Sequence, residues 1–468
     1  MKTKKGTISR RGLLTASAVA AGGAALVAPL LGQAPAVITT RRFRGWVTRG
    51  GGTNRTTLQE MTLRPVTGRQ LAVRTEATNL CYSNVGAVLG LQPNAGAAAP
   101  VPTGAGARGA APAPGPGAAG GRAVVQGHGG VGIVEAVGPE VRRVRVGDRV
   151  CVSGTPQCGS CYQCLRGRAD MCQFLMYQTD LFPIADMGDG TAVYANSLIG
   201  GLAEVMVTNE EWVVPIFTKA LASDLGMVCS CVTVAGLGAT TAPTLALVQP
   251  ASTVAVMGCG PLGLSAVQGA RIAGASTIIA IDPIRARREV ALKVGATIAL
   301  DPAAETNLIQ RVRDLTNGPN NRLWSGGRES GGFLGNLLGG TGPDFVIEAA
   351  GADAVTPRLE PSPDPTGILP LTQAYQMCSA GGHIVTTSLP RGNITLSAAL
   401  FAIGGRTHHA GQAGGANPMR DIPRFIEMLD KKQFDAKTLA TTVVPLEGML
   451  DAYQQVAYRT TITAIMTP

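Results

Sequence analysis

The chain has 468 residues, 45% of them hydrophobic and 4% aromatic, and a net charge of +10. That length and apolar content suffice for a sizeable core and point to two domains. The placement of the positive charge argues against a nucleic-acid role: Lys2, Lys4, Lys5, Arg10 and Arg11 carry half of it, and no Lys/Arg stripe interleaves with aromatics.

Residues 1–36 read as an address rather than a fold. Ser9-Arg10-Arg11-Gly12-Leu13-Leu14 is a twin-arginine pattern, residues 12–40 are uncharged and Ala/Leu-rich, and Ala34-Pro35-Ala36 supplies a small-x-small cleavage site. A basic tail or an uncleaved membrane anchor shares this composition, but the many Ala and Gly residues make a weak span. The expectation is export by the twin-arginine translocase to a periplasmic, cell-envelope or secreted location. That route carries folded proteins, so thiols take up metal before they meet an oxidising compartment.

Residues 42–90 alternate short apolar runs with Gly and polar turns, as in Gln70-Leu71-Ala72-Val73-Arg74, and are predicted as β-strands. Residues 91–122 are almost entirely Ala, Gly and Pro, a low-complexity insertion predicted as a surface loop. Strand signals return in Gly132-Ile133-Val134-Glu135-Ala136-Val137 and in Arg149-Val150-Cys151-Val152.

Next comes a run of four cysteines, Cys158, Cys161, Cys164 and Cys172, separated by two, two and seven residues. Four thiolates this close in sequence can close a tetrahedral Zn²⁺ shell with no open position, the mark of a structural site. Chance or disulfide pairing does not predict this spacing.

From residue 232 to 389 apolar runs alternate with longer helical stretches, which predicts βαβ units and a parallel sheet. The strand Ser252-Thr253-Val254-Ala255-Val256-Met257 runs directly into Gly258-Cys259-Gly260-Pro261-Leu262-Gly263. A helix over 264–273 follows, then the strand Thr277-Ile278-Ile279-Ala280-Ile281, ending at Asp282. This order is the dinucleotide-binding fingerprint. Gly258, Gly260 and Gly263 let the backbone approach a pyrophosphate at the helix N-terminus, and Asp282 accepts hydrogen bonds from the adenosine ribose. Asp282 points to NAD over NADP; Arg285, Arg287 and Arg288 temper that preference, and Arg287 joins the cofactor-binding candidates. Two polar, Gly/Pro-rich segments, 317–343 and 354–368, read as loop insertions, and beyond Gly411 the tail returns to helix and then strand.

Cys81, in Asn79-Leu80-Cys81-Tyr82-Ser83, and His128, in Gly127-His128-Gly129-Gly130, would each alone read as a core residue. Together with the four-cysteine lobe, the nucleotide motif and segments such as Thr155-Pro156-Gln157-Cys158-Gly159 and Asp344-Phe345-Val346-Ile347-Glu348-Ala349-Ala350-Gly351, they resemble the zinc-containing medium-chain alcohol dehydrogenases. The resemblance runs from about Arg42 to the C-terminus. It implies an α/β fold: a GroES-like β-rich catalytic domain over 37–231, with the zinc lobe at 155–175, and a Rossmann doubly wound cofactor domain over 232–411. Residues 412–468 would then return to the catalytic domain.

The resemblance also implies a catalytic zinc held by Cys81, His128 and Cys231, with Cys229 as the alternative third ligand. Ser83 matches the hydroxyl that passes a proton outward, and Arg459 a pyrophosphate-binding arginine. Two Zn²⁺ per chain, NAD, hydride transfer with a small alcohol or aldehyde, and a homo-oligomer follow from the same resemblance. Cys151, Cys259 and Cys378 are left as buried apolar side chains; His383 reads as structural, and His408-His409 has no assignment.

The chain departs from the family at four places. Gly129 follows the ligand histidine where an acid is usual, Asn84 stands where an acid supports the metal shell, Gly86 replaces a relay histidine, and Gly154 replaces a pocket aromatic. Three readings follow: an exported NAD-dependent dehydrogenase, the same fold with permanently held nicotinamide and an external electron acceptor, or a degenerate exported zinc-binding protein.

Overall fold

Strand-forming sequence in the first half is short and alternating, and the computed structural model folds it into two β-systems. It describes residues 41–50, 55–91, 121–175, 182–245, 247–316, 342–353, 355, 358, 360 and 364–468. The expected signal segment 1–36, most of the insertion at 91–122 and most of that at 317–343 lie outside the described residues.

The early strands are β1 (Arg42–Thr48), β2 (Thr56–Leu63), β3 (Gln70–Asn79), β4 (Ala123–Val125), β5 (Gly130–Val137), β6 (Arg149–Val152), β7 (Pro183–Met187), β8 (Ala192–Ala195), β9 (Val205–Asn209) and β10 (Val213–Pro215). Strands β1, β2, β7, β8 and β4 close into a barrel, which leaves no free edge. The long strand β3 pairs antiparallel with β5 and with β9, and β5 continues to β6 and β10. Residues 82–89 correct the all-strand expectation: a 3₁₀ turn at Tyr82–Asn84 leads into the short helix α1 (Val85–Leu89). Val85 and Val88 point into the core, and Gly90, at φ +68°, ends the helix in the left-handed conformation that glycine adopts without cost.

The second half reads as strand, helix, strand and folds as such. β11 (Thr253–Met257), β12 (Thr277–Ile281), β13 (Ile298–Leu300), β14 (Phe345–Glu348), β15 (His383–Thr386) and β16 (Thr407–Ala410) form a wholly parallel sheet in the order β13-β12-β11-β14-β15-β16. Read in chain order this is the 3-2-1-4-5-6 arrangement of a Rossmann sheet, with its switch point between β11 and β14. β11 is buried along its whole length, as a strand covered by helices on both faces must be. Helices α2 (Cys231–Thr241), α3 (Pro261–Ile272), α4 (Arg285–Val294), α5 (Leu308–Leu315) and α6 (Ile368–Met377) accompany the sheet. His383 stacks on Phe345 and lies 3.0 Å from His409 across β15 and β16, so these histidines belong to the end of the sheet.

In the tail, α7 (Pro418–Asp430) buries Ile422, Phe425 and Ile426 in the core shared with α2 and α3. β17 (Thr442–Val444), α8 (Met449–Ala457) and β18 (Ala464–Met466) follow, and β18 pairs with the C-terminal end of β3. That pairing brings the last residues of the chain beside Asn79, two residues from Cys81. Both β-systems belong to one compact unit, Pro35–Pro468.

Candidate metal and dinucleotide site

Three elements end at one point. β3 delivers Cys81, the turn before β5 delivers His128, and Cys231 opens α2, whose N-cap Ser230 accepts from the backbone N–H of Thr233. The ligand atoms of Cys81, His128 and Cys231 all lie within 4.8 Å of one another. Cys231 Sγ is 3.4 Å from Cys81 Sγ and 3.0 Å from His128 Nε2. Zn–S bonds of about 2.3 Å in a tetrahedron place sulfurs roughly 3.8 Å apart, so the three side chains fit zinc with little movement. Cys229 is not in this group; it is buried, with Cys151 Sγ 3.9 Å from its carbonyl. The hydrogen bond with Cys231, and then the nearby His128, hold the Cys81 thiol well below its ordinary range, while the same bond pushes Cys231 up.

His128 Nδ1 lies 2.7 Å from Asn84 Oδ1. The amide oxygen accepts, so Nδ1 carries the proton and Nε2 presents its lone pair to the thiols. Ser83 Oγ donates to Cys81 Sγ at 3.2 Å and is exposed, which puts a hydroxyl between the ligand cluster and water.

The other four cysteines form a second cluster, again with all sulfurs within 4.8 Å. The backbone N–H groups of Cys161, Cys164 and Cys158 point at the sulfurs of Cys158, Cys161 and Cys172 at 3.3, 3.5 and 3.4 Å. Burial opposes charge at Cys158, but the N–H groups of Ser160 and Cys161 outweigh it and hold the thiol at about 6. Four cysteines, with no fifth ligand group in the cluster among the described residues, fit a closed structural zinc shell.

At the sheet's switch point, Gly258 sits at φ +90° where a Cβ would lie 2.8 Å from the backbone of Ala350. A Cβ on Gly263 would lie 1.7 Å from Gly258 O, so only glycine lets α3 start this close to the strand. Gly260 caps α3, ahead of Pro261 at its first turn. Asp282 is 4% exposed and braces this loop: its oxygens accept from Cys259 N at 2.6 Å and Ile284 N at 2.8 Å. Arg287 is half-buried beside it; its buried Nε has no hydrogen-bond partner, and its Nη1 lies 3.7 Å from where a Cβ on Gly260 would be. A guanidinium with a spare donor at a helix N-terminus suits a phosphate. Arg459 reaches the same region, where it is ion-paired with Asp353.

Comparison with known proteins agrees with this geometry. Residues 67–218 match the alcohol dehydrogenase GroES-like domain, and residues 261–360 match the zinc-binding dehydrogenase domain. A putative alcohol dehydrogenase D of Mycobacterium tuberculosis is 31% identical over 337 residues, covering 71% of this chain and 81% of that protein. The chain belongs to the zinc-type medium-chain alcohol dehydrogenase family. An NDMA-dependent alcohol dehydrogenase of Amycolatopsis methanolica is 28% identical over 342 residues, covering 71% of this chain and 80% of that protein. The fold is that of benzyl alcohol dehydrogenase from Acinetobacter calcoaceticus, with a TM-score of 0.69 at 22% identity over 91% of this chain and 99% of that one. A zinc-binding-domain alcohol dehydrogenase from Burkholderia ambifaria gives 0.71 at 24% identity, over 92% and 99%. The chain is therefore an alcohol dehydrogenase-like, zinc-binding oxidoreductase of a family that uses a nucleotide cofactor and small-molecule substrates.

Among alcohol dehydrogenases its departures now have locations. Asn84 takes the hydrogen-bonding place of an acid on His128. Gly129 has room for a Cβ, the nearest atom being Val152 O at 3.4 Å, and its carbonyl accepts from Thr78 Oγ1 at 2.5 Å. Gly154 lies against the ligands themselves, where a Cβ would come within 2.9 Å of His128 O; close packing, besides any widening of the pocket, accounts for glycine there. Gly86 is half-buried and accepts from Arg55 through its carbonyl. Sequence reasoning missed Asp353 and the role of Asn84. An acid just past Gly351, at the switch-point loop after β14, was the available signal for Asp353.

Proposed function

We propose that this chain is an exported dehydrogenase that moves a hydride between a small alcohol or aldehyde and NAD. The observation that carries the reading is the convergence of Cys81, His128 and Cys231 with the exposed Ser83 hydroxyl beside them. In this reading Cys81, His128 and Cys231 hold the catalytic zinc, and Cys158, Cys161, Cys164 and Cys172 a structural one. When bound, the catalytic zinc acidifies a hydroxyl or polarises a carbonyl, and the nicotinamide takes or gives the hydride.

The chain's own residues do the rest. Asn84 holds His128 in the tautomer that can ligate. Ser83 moves the substrate proton toward water without a second relay residue, in keeping with glycine at position 86. Arg287 offers its free donor to the diphosphate, and Asp282 keeps the loop beneath it in shape. Export rests on the Arg10-Arg11 motif and the small-residue site at Ala34-Pro35-Ala36.

A second reading keeps the nucleotide bound and passes electrons to an external acceptor. The relative named for NDMA dependence favours it.

The test is Cys81→Ser. Zinc content should fall from two to one per chain and alcohol-dependent reduction of NAD should cease, with the melting temperature within a few degrees of wild type. Unchanged activity would remove Cys81 from the catalytic site.

A further inference from the structure

We propose that the Asp353 carboxylate competes with the diphosphate of the dinucleotide for Arg459, and so sets how tightly and how fast the cofactor binds. This inference rests on the dinucleotide reading above.

Arg459 lies in the turn after α8, at φ +59°, a conformation that non-glycine residues hold only under constraint. Its guanidinium is 5.3 Å above the ring of Tyr82, the residue after the ligand Cys81. Its charge also acts on Arg287 and on Asp282, which braces the Gly258–Gly263 loop, so it stands between the metal site and that loop. Its side chain is 11% exposed, and it is ion-paired with Asp353, itself 7% exposed. Asp353 comes from the loop after β14, at the switch point, and its backbone N–H donates to Pro365 O at 2.7 Å.

Described residues just beyond Asp353 hold the same course. Val355 N donates to the Tyr82 hydroxyl at 3.0 Å, Arg358 stacks 3.8 Å from the ring of Tyr458, and Glu360 accepts from Arg285 N at the start of α4. These contacts keep the acid against the arginine rather than in solvent.

The charges decide the consequence. Arg287 and Arg459 face Asp282 and Asp353, so the cluster is already balanced. Asp282 is held by backbone N–H groups, whereas Asp353 takes a guanidinium. A diphosphate brings two negative charges to the α3 N-terminus. It meets Arg287 with a free donor, but must take Arg459 from Asp353 or lie beside a buried like charge. Dinucleotide binding then includes the release of Asp353, which slows entry, and the freed carboxylate, ready to retake Arg459, hastens exit.

The experiment uses zinc-loaded full chain and compares wild type with Asp353→Asn by NADH fluorescence titration and stopped flow. The variant should bind NADH about tenfold more tightly or better. The variant should associate with NADH faster and release it more slowly than wild type. Adenosine, which has no phosphate, should bind both equally. Equal or weaker NADH binding by the variant would overturn the proposal and make Asp353 an anchor that presents Arg459. Tighter adenosine binding would also overturn it, since the substitution would then merely open the cleft. If that variant does not fold, Asp353→Ser takes its place, with the same expected result and the same contrary ones. NADH that binds wild type yet ignores the substitution sinks this proposal only; NADH that binds neither form sinks the dinucleotide reading as well.

Discussion

Asn84 shows how a side chain that looks like a loss can keep a function. A carboxylate beside a ligating histidine both orients the ring and makes it more basic; an amide oxygen at 2.7 Å orients the ring alone. Removing it should matter for metal more than for folding. We expect Asn84→Ala to weaken zinc at the Cys81 site by about 10–100-fold while leaving the four-cysteine lobe loaded. Zinc titration against a chromophoric chelator would then show one weakened and one unchanged class, and two unchanged classes would contradict the role. At this scale the sequence was legible for residue types and silent on partners. Cys81, His128 and Cys231 became legible as ligands through the family resemblance, but the bonds from His128 to Asn84 and from Arg459 to Asp353 join positions 44 and 106 residues apart. No local pattern records such meetings.

Elements whose meaning lies in contiguous sequence were the readable ones. β11, the glycine turn, α3 and β12 follow without a break, and each constrains the next: Gly263 must be glycine because α3 begins against the carbonyl of Gly258. The cysteine lobe is local in the same way, its sulfurs positioned by the N–H groups of its own turns. By contrast α1 was hidden, because five residues make too short a periodic signal to compete with the strand pattern before it. β17 and β18 are three residues each and exist through pairing with one another and with β3. The lobe carries a pH prediction. Above about 6 Cys158 is already a thiolate, so zinc has one fewer proton to displace; below it the proton returns. Zinc affinity of the lobe should therefore fall with acidification and fall more steeply once the pH passes below about 6. Competition with a chelator across that range measures it, and a slope unchanged through 6 would contradict the preformed thiolate.

For the whole molecule the two β-systems matter because of where they meet. β18 brings the C-terminal end of the chain beside β3, so Arg459 stands between metal ligands from one half and the dinucleotide loop of the other. Hydride transfer needs both halves loaded, and the proposed export adds a constraint. A dehydrogenase outside the cytoplasm meets little free nicotinamide nucleotide, so a cofactor that enters and leaves slowly suits it better than one in rapid exchange. The central claim is that one chain carries two zinc sites and a dinucleotide site working together. The most direct test is zinc and nicotinamide content, determined together on full chain purified without added cofactor and then titrated with NADH. Two zincs per chain, with nicotinamide either retained or taken up stoichiometrically, is the predicted result. One zinc and no nucleotide uptake would contradict it and leave a zinc-stabilised fold without the redox site.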